Sequence, residues 1–308
     1  MTKNIAILIP CYNEEITIGK VIQDFKKELP EAKIYVYDNN STDNTSAIAQ
    51  ENGAIVYKEK RQGKGNVVQS MFRDIKADIY VMVDGDDTYP SKEVHKLIAP
   101  IENNTADMSI GDRHSNGSYE KENKRHFHGF GNALVKNIIN KLFKEDLKDI
   151  MSGYRAFSEE FVKMIPILSN GFEVETELTI QALDKKFRIV EVPISYQDRP
   201  EGSYSKLNTY LDGIRVLHII LMLMKDYRPL QFFTIVFMFL FLLSLSIGLP
   251  VIIEFINTSF ITKIPSAILS VGIMIISILF LLIGIILDTS ARNQKENFQI
   301  LRKTLSKR

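Results

Sequence analysis

The stretch VMVDGDDTYP, residues 81–90, sets the class of fold and the place of its chemistry. A mostly apolar run, typical of a buried strand, leads directly into three aspartates within four positions, Asp84, Asp86 and Asp87. Like charges this close repel each other unless solvent, a cation or a positively charged neighbour offsets them. The stretch therefore predicts either a hydrated acidic loop that Pro90 closes or a cation site at the end of a strand.

Short apolar runs alternate with helical patterns on both sides of this stretch. The apolar runs are NIAILIP, KIYVYD, AIVY, DIYVMVD and MSIGD, and the helical patterns cover 14–29, about 43–51, a segment from about 64, and 91–101. This alternation predicts an α/β fold with a mostly parallel sheet and flanking helices on both faces.

Three polar clusters follow the first, second and fourth predicted strands. They are PCYNEE, DNNSTDNT and DGDDTYP. Ligands of parallel sheets bind beyond the carboxyl ends of the strands, so we expect the three clusters to face one crevice. Their shared position favours a ligand site over a hydrated acidic loop.

The chain beyond residue 112 is less regular. Helices are predicted over 129–143 and 172–183, and a strand over 187–196 leads into the basic segment QDRPEGSYSKL. A helix over 209–227 is charged at its ends and apolar in its second half. This pattern favours a helix at the membrane interface, with an ordinary core helix as the alternative.

Composition divides the chain into a mixed part and an apolar part. The 308 residues carry a net charge of +1, which argues against a nucleic-acid partner. No charged residue occurs in 229–253 or in 264–287. Each run is long enough to cross a hydrocarbon core of about 30 Å as a helix, and a short loop separates them. A two-helix transmembrane hairpin over 229–290 is therefore predicted.

The tail, 291–308, is basic and by the positive-inside rule lies in the cytoplasm. The hairpin then places the N-terminal part there too, and its first residues lack the apolar length of a signal peptide. A single cysteine, Cys11, excludes an intrachain disulfide and fits a reducing compartment. We predict a multi-pass protein of the inner (cytoplasmic) cell membrane, with a cytoplasmic catalytic domain over 1–204 and a juxtamembrane amphipathic helix over 205–228. A homo-oligomer is compatible with the sequence, which does not specify one.

Six motifs, in this order, resemble those of the polyisoprenyl-phosphate glycosyltransferases, relatives of dolichol-phosphate mannose synthase. They are PCYNEE, DNNSTDNT, DGDDTYP, GDRH, DIMSGYRAFS and DRPEGSYSKL. The resemblance covers about residues 5–217, and the apolar runs match its membrane-anchored bacterial branch. It implies an inverting enzyme of glycosyltransferase family 2 with the Rossmann-like GT-A fold. The implied reaction transfers a hexose or N-acetylhexosamine from a nucleotide sugar, UDP-linked in this branch, to a polyprenyl phosphate such as undecaprenyl phosphate, for cell-envelope glycan modification.

The donor side of this resemblance rests on carboxylates. The leaving diphosphate gains negative charge, which Mg²⁺ or Mn²⁺ held by one or two carboxylates stabilises. Asp86 is the expected catalytic metal ligand, and Asp84 reaches the metal, a metal-bound water or the ribose. The dolichol branch has a helping glutamine where this chain has Thr88. The nucleotide-sugar-binding residues that the resemblance implies are Pro10, Tyr12, Glu14, Asp38, Lys64 and Asp84.

Simpler explanations exist for three of these segments. Residues 39–45 are also typical of a turn with a helix cap. Lys64 lies in RQGKGN, which lacks the spacing of a phosphate-binding loop, and it could equally be a solvated surface lysine. The acidic side chains of GFEVETEL face the donor sugar or, more commonly for such a pattern, form one acidic face of a helix.

The acceptor side rests on arginine. A lipid phosphate is already an anion, so it needs positioning and charge compensation rather than a strong general base, and the planar guanidinium suits this task. Asp149 matches a catalytic aspartate of the family that orients the acceptor or a sugar hydroxyl. The acceptor-phosphate residues that the resemblance implies are Arg113, Arg125, Arg199, Ser203 and Lys206, with Ser205 as the alternative to Ser203.

Two other classes of protein share parts of this pattern. Processive polysaccharide synthases carry a QxxRW motif, and this chain has no tryptophan. A membrane protein that uses a nucleotide-binding domain only as a sensor or scaffold would not need the intact acidic and basic residues. The sequence favours the transferase.

Overall fold

A computed structural model describes residues 3–115, 126–171, 173–200, 221–222 and 224–305, with backbone alone for 126–132 and for Leu305. The chain divides into two compact units, Met1–Tyr210 and Leu211–Arg308.

A seven-stranded sheet forms the centre of the first unit within the described residues. Its order is β3-β2-β1-β4-β6-β5-β7. The strands are β1 Ile5–Cys11, β2 Lys33–Asp38, β3 Ile55–Lys58, β4 Ile79–Met82, β5 Met108–Asp112, β6 Arg155–Ser158 and β7 Ile189–Pro193. Every pairing is parallel except those of β6, which runs antiparallel to β4 and to β5. The predicted mostly parallel sheet is confirmed, and β6 is an addition that the sequence did not predict.

Helices cover the sheet on both faces. They are α1 Ile18–Glu28, α2 Thr45–Glu51, α3 Lys64–Asp74, α4 Val94–Glu102, α5 His126–Phe143, α6 Glu159–Met164 and α7 Val174–Asp184. A short 3-10 turn, Ser91–Glu93, precedes α4. The first predicted helix begins four residues late, at Ile18 instead of Glu14, because the polar residues before it form a loop at the sheet edge. All four residues of β4 are buried, as expected for a strand covered on both sides.

The strand order brings the predicted polar clusters together. Strands β2, β1 and β4 are neighbours and run in the same direction, so all three clusters emerge at one edge of the sheet. Because β6 runs in the opposite direction, its first residue, Arg155, lies at this same edge, where it pairs with Met82 of β4. The segment before β6 therefore joins the clusters.

The second unit contains two long apolar helices, α8 (Pro229–Thr258) and α9 (Ile264–Leu305). Both are long and apolar enough to cross a membrane, judged by length and composition. They pack together, and the Ser244 hydroxyl donates a hydrogen bond of 2.8 Å to the Ser270 carbonyl. The predicted apolar spans lie inside these helices, while the basic tail continues α9 as helix up to Leu305. The predicted helix over 209–227 lies largely outside the described residues.

The start of α3 is closed by backbone rather than left open for a ligand. The amides of Gly65 and Asn66 donate to the carbonyl oxygens of Gly171 and Asn170, at 3.1 and 3.4 Å. A Cβ atom on Gly65 would lie 2.1 Å from the Ser169 carbonyl oxygen. Glycine is therefore required here by the close approach of another backbone segment, and the first amides of this helix are already bonded.

The first testable prediction concerns the close contact between Gly65 and the backbone of Ser169. Gly65→Ala should destabilise the first unit by about 1–3 kcal/mol, because the added methyl group has to displace a carbonyl oxygen in a packed site. Thermal unfolding of the detergent-purified chain measures the change. Gly19→Ala in α1 is the matched control, since its Cβ would meet only side-chain atoms of Ile48 and Asn52, at 3.2 Å. Equal melting temperatures for the two variants would contradict the prediction.

Candidate functional site

The three aspartates after β4 each contact a different cation. Asp84 pairs with Lys64, and Asp86 lies 2.6 Å from the Arg199 guanidinium. Asp87, in the left-handed backbone region with φ of 60°, lies 2.7 Å from the ammonium of Lys20. Local positive charge thus offsets the repulsion that the sequence implied.

Lys64 lies between two carboxylates. Its ammonium contacts Asp84 and, at 2.5 Å, Glu175 from the first turn of α7. The Lys64 side chain is only 11% exposed, so the alternative of a solvated surface lysine is wrong. Burial works to lower the pKa of Lys64, but the two carboxylates outweigh it and hold the pKa above its usual value. Lys64 therefore stays charged and fixes the position of Asp84.

Asp86 is buried, with only 4% of its surface exposed. The Thr88 hydroxyl donates to one carboxylate oxygen at 2.7 Å, and Arg199 contacts the other. Arg199 also lies 3.9 Å from a carboxylate oxygen of Glu14. Burial, followed by the charge of Asp84, raises the pKa of Asp86, while Arg199 acts in the opposite direction. A positive charge at this carboxylate therefore favours its ionised form.

Side-chain to backbone hydrogen bonds join the loops after β1 and β2. The amide of Asn13 donates to the Ser41 hydroxyl at 2.9 Å, and the amide of Thr42 donates to the Asn13 side chain at 2.8 Å. The amide of Glu14 donates to the Thr45 hydroxyl at 2.8 Å. These reciprocal bonds fix the loop that carries Glu14 at the edge of the crevice.

Asp38 is held within the second of these loops. Its two carboxylate oxygens accept hydrogen bonds from the Ser41 amide, at 2.8 Å, and from the Ser46 hydroxyl, at 2.5 Å. The predicted turn is present and leads into α2, but Asn44 at the start of this helix makes no side-chain cap hydrogen bond. Pro10, near the end of β1, pairs with Tyr37, the residue before Asp38 on the neighbouring strand. Tyr12, the first residue after β1, has 36% of its surface exposed.

Arg113 and Asp149 form a bidentate ion pair after β5. The two guanidinium-to-carboxylate distances are 2.7 and 2.9 Å, and Asp149 also accepts from the Arg113 amide at 3.1 Å. Burial works to raise the pKa of Asp149, but Arg113 and then His114 lower it below the usual value. The carboxylate of Asp149 is therefore an ionised partner of Arg113.

Tyr89 connects this pair to the aspartates. Its hydroxyl accepts from the Gly153 amide at 3.0 Å and lies 3.4 Å from the Arg113 guanidinium. A Cβ atom on Gly153 would lie 2.4 Å from a carboxylate oxygen of Asp84. The segment from Asp149 to Gly153 therefore touches Arg113 at one end and Asp84 at the other.

The conserved-domain profile described as glycosyl transferase family 2 matches residues 6–165, more than half of the chain. The chain belongs to this family. Among curated relatives, protein RfbJ of Shigella flexneri is 51% identical over 123 residues, which are 40% of this chain and 95% of that protein. The dolichyl-phosphate hexose transferase of Haloferax volcanii is 29% identical over 213 residues, 69% of this chain and 90% of that protein.

Solved structures show the same fold. Glucosyl-3-phosphoglycerate synthase of Mycobacterium tuberculosis, in complex with Mn²⁺, UDP and glucosyl-3-phosphoglycerate, is similar with a TM-score of 0.58 over 72% of this chain and 79% of its own, at 22% identity. The predicted GT-A fold is therefore confirmed. The chain is a glycosyltransferase.

The structure of the transferase gathers most of the predicted site residues at one edge of the sheet. Arg199 was predicted on the acceptor side, and its contacts are with Asp86 and Glu14, which were predicted on the donor side. Three predicted acceptor residues, Arg125, Ser203 and Lys206, lie outside the described residues. Brought together at the edge are Pro10, Tyr12, Glu14, Asp38, Lys64, Asp84, Asp86, Arg113, Asp149 and Arg199.

Sequence reasoning missed several residues of the crevice. Glu175 was expected on an acidic helix face, but it is 5% exposed and paired with Lys64. Successive helical residues turn by 100°, so Glu175 lies opposite Glu173 and Glu177, and this signal was available in the spacing. Glu177 instead accepts the amides of Leu168 and Ser169, at 2.9 Å each. Tyr89 and Gly153 were also missed, because only their neighbours in space reveal them.

The carboxylates of the crevice suit a hard divalent cation. Within the ranges that the structure describes, no group of three or more His, Cys, Asp or Glu side chains converges on one point. Asp84 and Asp86 offer oxygen atoms only, which is what Mg²⁺ and Mn²⁺ prefer when phosphates and waters complete the shell. A guanidinium already occupies one oxygen of Asp86, so positive charge fits there.

The second prediction concerns pH. Because the pKa of Asp149 is lowered from 3.8, its ion pair stabilises the fold above that value and is lost as pH falls through the lower, folded-state value. The melting temperature of the parent should therefore fall between about pH 5 and pH 2, and more steeply than that of Asp149→Asn. Glu191 accepts the Asp149 amide and has a pKa raised chiefly by burial and least by the charge of Asp149, so most of its titration is common to both proteins. Parallel curves for the two proteins would contradict the prediction.

Proposed function

We propose that this transferase moves a hexose or N-acetylhexosamine from a UDP-sugar to a polyprenyl phosphate, with inversion at the anomeric carbon. The observation that carries the proposal is the buried carboxylate of Asp86 with a cation against it, in the same crevice as a second arginine, Arg113. Carboxylates that can hold a divalent cation and arginines that can hold a phosphate are what a transfer between two phosphate-bearing substrates needs.

The donor binds across Asp84 and Asp86 in this proposal. Mg²⁺ or Mn²⁺ at these carboxylates would supply charge stabilisation to the departing diphosphate. Lys64 keeps Asp84 in place through its ion pair, and the Thr88 hydroxyl orients Asp86 in the position of the family's glutamine. The solved relative with Mn²⁺ and UDP bound supports this choice of metal and nucleotide.

The nucleoside lies along the loops after β1 and β2. Tyr12 has an exposed ring that suits stacking, and Glu14 is fixed by the hydrogen bond of its amide to Thr45. Asp38 keeps lone pairs beyond its two bonds within the turn and is the proposed acceptor of a hydrogen bond from the base. Pro10 positions the start of this loop.

The acceptor is a lipid phosphate held by arginines. The name of the Haloferax relative, a dolichyl-phosphate hexose transferase, supports a polyprenyl phosphate, and undecaprenyl phosphate is the bacterial form. The phosphate oxygen is ionised before it attacks, so no general base is required. This agrees with Asp149, whose carboxylate is engaged by Arg113 and orients that arginine.

The two apolar helices anchor the enzyme where its lipid acceptor is found. We place residues 1–204 and the basic tail over 291–308 in the cytoplasm, with the loop between α8 and α9 on the other side of the membrane. The excess of arginine and lysine in the tail supports this orientation. A nucleotide sugar is a cytoplasmic substrate, so the proposed topology and the proposed donor are consistent.

The third prediction tests the role of Asp86. Asp86→Asn should lower turnover by about two orders of magnitude or more, since a neutral amide binds a divalent cation weakly, and chelation should inhibit the parent. The assay uses detergent-purified protein, Mg²⁺, polyprenyl phosphate and a panel of nucleotide sugars, with the lipid product identified by mass spectrometry. The nucleotide and sugar that give product identify the donor.

Asp87→Asn is the matched control for this experiment. It removes an aspartate one position away that pairs with Lys20, so turnover should stay near the parent value. Transfer by the parent in the presence of excess chelator would show that the carboxylates do not act through a divalent cation. Equal losses in the two variants would point to a general effect of charge.

The fourth prediction tests Arg199. Truncation to alanine should lower acceptor efficiency by about ten- to a hundredfold, which corresponds to a lost charge-assisted contact of about 1.5–3 kcal/mol. Arg199→Lys should restore only part of it, because a point charge lacks the planar geometry. Kinetics with varied polyprenyl phosphate, beside UDP affinity by calorimetry, measure the two sides separately. Loss of UDP binding with unchanged acceptor dependence would assign Arg199 to the donor side.

A further inference from the structure

Arg155 is a fully buried cation that the proposed reaction leaves unexplained. Its exposed surface is 0%, and it has the largest fully buried side chain in the described part of the chain. Burial lowers its pKa to about 10, so it remains charged at neutral pH. Glu175 and Asp149 attract it through space, but no carboxylate of the described residues forms an ion pair with it. Burying a charge costs free energy unless hydrogen bonds or ion pairs compensate it, so the hydrogen bonds of Arg155 show which groups it holds.

The donors of Arg155 bind backbone oxygens of one loop. Its Nε atom donates to the Ser152 carbonyl at 2.8 Å, and Nη2 donates to the Ile150 carbonyl at 2.7 Å. The remaining nitrogen, Nη1, donates to the Thr179 hydroxyl of α7 at 2.9 Å. The Thr179 hydroxyl also lies 3.4 Å from the Ile150 carbonyl. The planar, multidentate guanidinium can donate to both carbonyl groups of the loop from one side.

The loop held in this way, Asp149–Gly153, contacts both sides of the crevice. At its first residue, Asp149 pairs with Arg113. At its last residue, the backbone of Gly153 packs against the carboxylate of Asp84 and donates its amide to Tyr89. The shape of five residues therefore sets how far Arg113 lies from Asp84.

We propose that Arg155 is a positioning residue for sugar transfer. By holding the carbonyl oxygens of the Asp149–Gly153 loop, it fixes the separation between Asp84 on the donor side and Arg113 on the acceptor side. It touches neither substrate. Its effect is on the alignment of two phosphate-bearing substrates, and a displacement of about 1 Å in such an alignment can lower a rate about a hundredfold.

Arg155→Lys is the first test, because lysine keeps the buried charge but cannot reach both carbonyl groups in one plane. We expect kcat to fall about ten- to a hundredfold while the dissociation constant of UDP with Mg²⁺ changes less than about threefold. Arg73→Lys is the matched control, since Arg73 is 63% exposed on α3 and pairs with its neighbour Asp74. The control should keep the kcat of the parent.

Two outcomes would overturn the proposal. The first is an Arg155→Lys variant with the kcat of the parent. The second is an equal loss of kcat and UDP affinity that follows the melting temperature and disappears on cooling, since this is the signature of a merely structural residue. A fall in kcat that persists well below the melting temperature supports the positioning role.

Gly153→Ala keeps the proposal testable if the arginine variants do not fold. The added Cβ would push the loop away from Asp84 without touching the guanidinium, so kcat should fall in the same way. Where Arg155→Lys does fold, the losses in the double variant should be less than additive, because both changes displace one loop. A Gly153→Ala variant with the kcat of the parent would refute the role of the loop. Fully additive losses of kcat in the double variant would refute it too.

The inference rests on the proposed transfer reaction. The assays distinguish failure of that reaction from failure of the role proposed for Arg155. The parent is assayed first with polyprenyl phosphate. If it forms no lipid-linked sugar, the proposed acceptor is wrong, and transfer to a soluble phosphate monoester then supplies the kcat for the comparison of variants. If the parent transfers to lipid and the variants equal it, the proposed reaction stands and the role of Arg155 is refuted.

Discussion

Three carboxylates within four residues at the end of a buried strand are the constraint on which the site depends. Asp84, Asp86 and Asp87 cannot share one direction without strong repulsion, and each is offset by a cation from a different part of the chain. Lys64 comes from α3, Lys20 from α1 and Arg199 from the segment after β7. Each ion pair brings a distant segment of the chain to the end of β4. Together these segments form the crevice.

The reversed strand β6 has a comparable organising effect. In a purely parallel sheet the segments between strands alternate between the two edges, and only those at the carboxyl ends can line a ligand site. Because β6 runs the other way, the loop before it reaches the edge where β4 and β5 end. The site thereby gains the Asp149–Gly153 loop, which Arg155 holds and which connects the donor and acceptor sides of the proposed reaction.

Much of this architecture was predictable from the sequence because it is local. Alternating apolar runs gave the parallel strands, and the polar clusters after them gave the crevice. Strand β6 was not predicted because it has only four residues and begins with a buried arginine. Its sequence therefore lacks the alternation of apolar and polar residues that marks a strand. The partners of Lys64 lie 20 and 111 positions away, and no local pattern can tell such a buried lysine from a solvated one. The carboxylates predicted for the donor side lie together at one edge of the sheet, whereas the contacts of Arg199 with two of them needed the fold.

The position of Arg199 has a consequence for the order in which ligands arrive. One carboxylate oxygen of Asp86 is already paired with the Arg199 guanidinium. The affinity of a free divalent ion for Asp86 is therefore lowered by the free energy needed to displace Arg199. The acceptor phosphate that we propose for Arg199 brings anionic oxygens that can receive the displaced arginine. Under this proposal the ion and the acceptor phosphate should bind with positive cooperativity, and each should bind weakly alone.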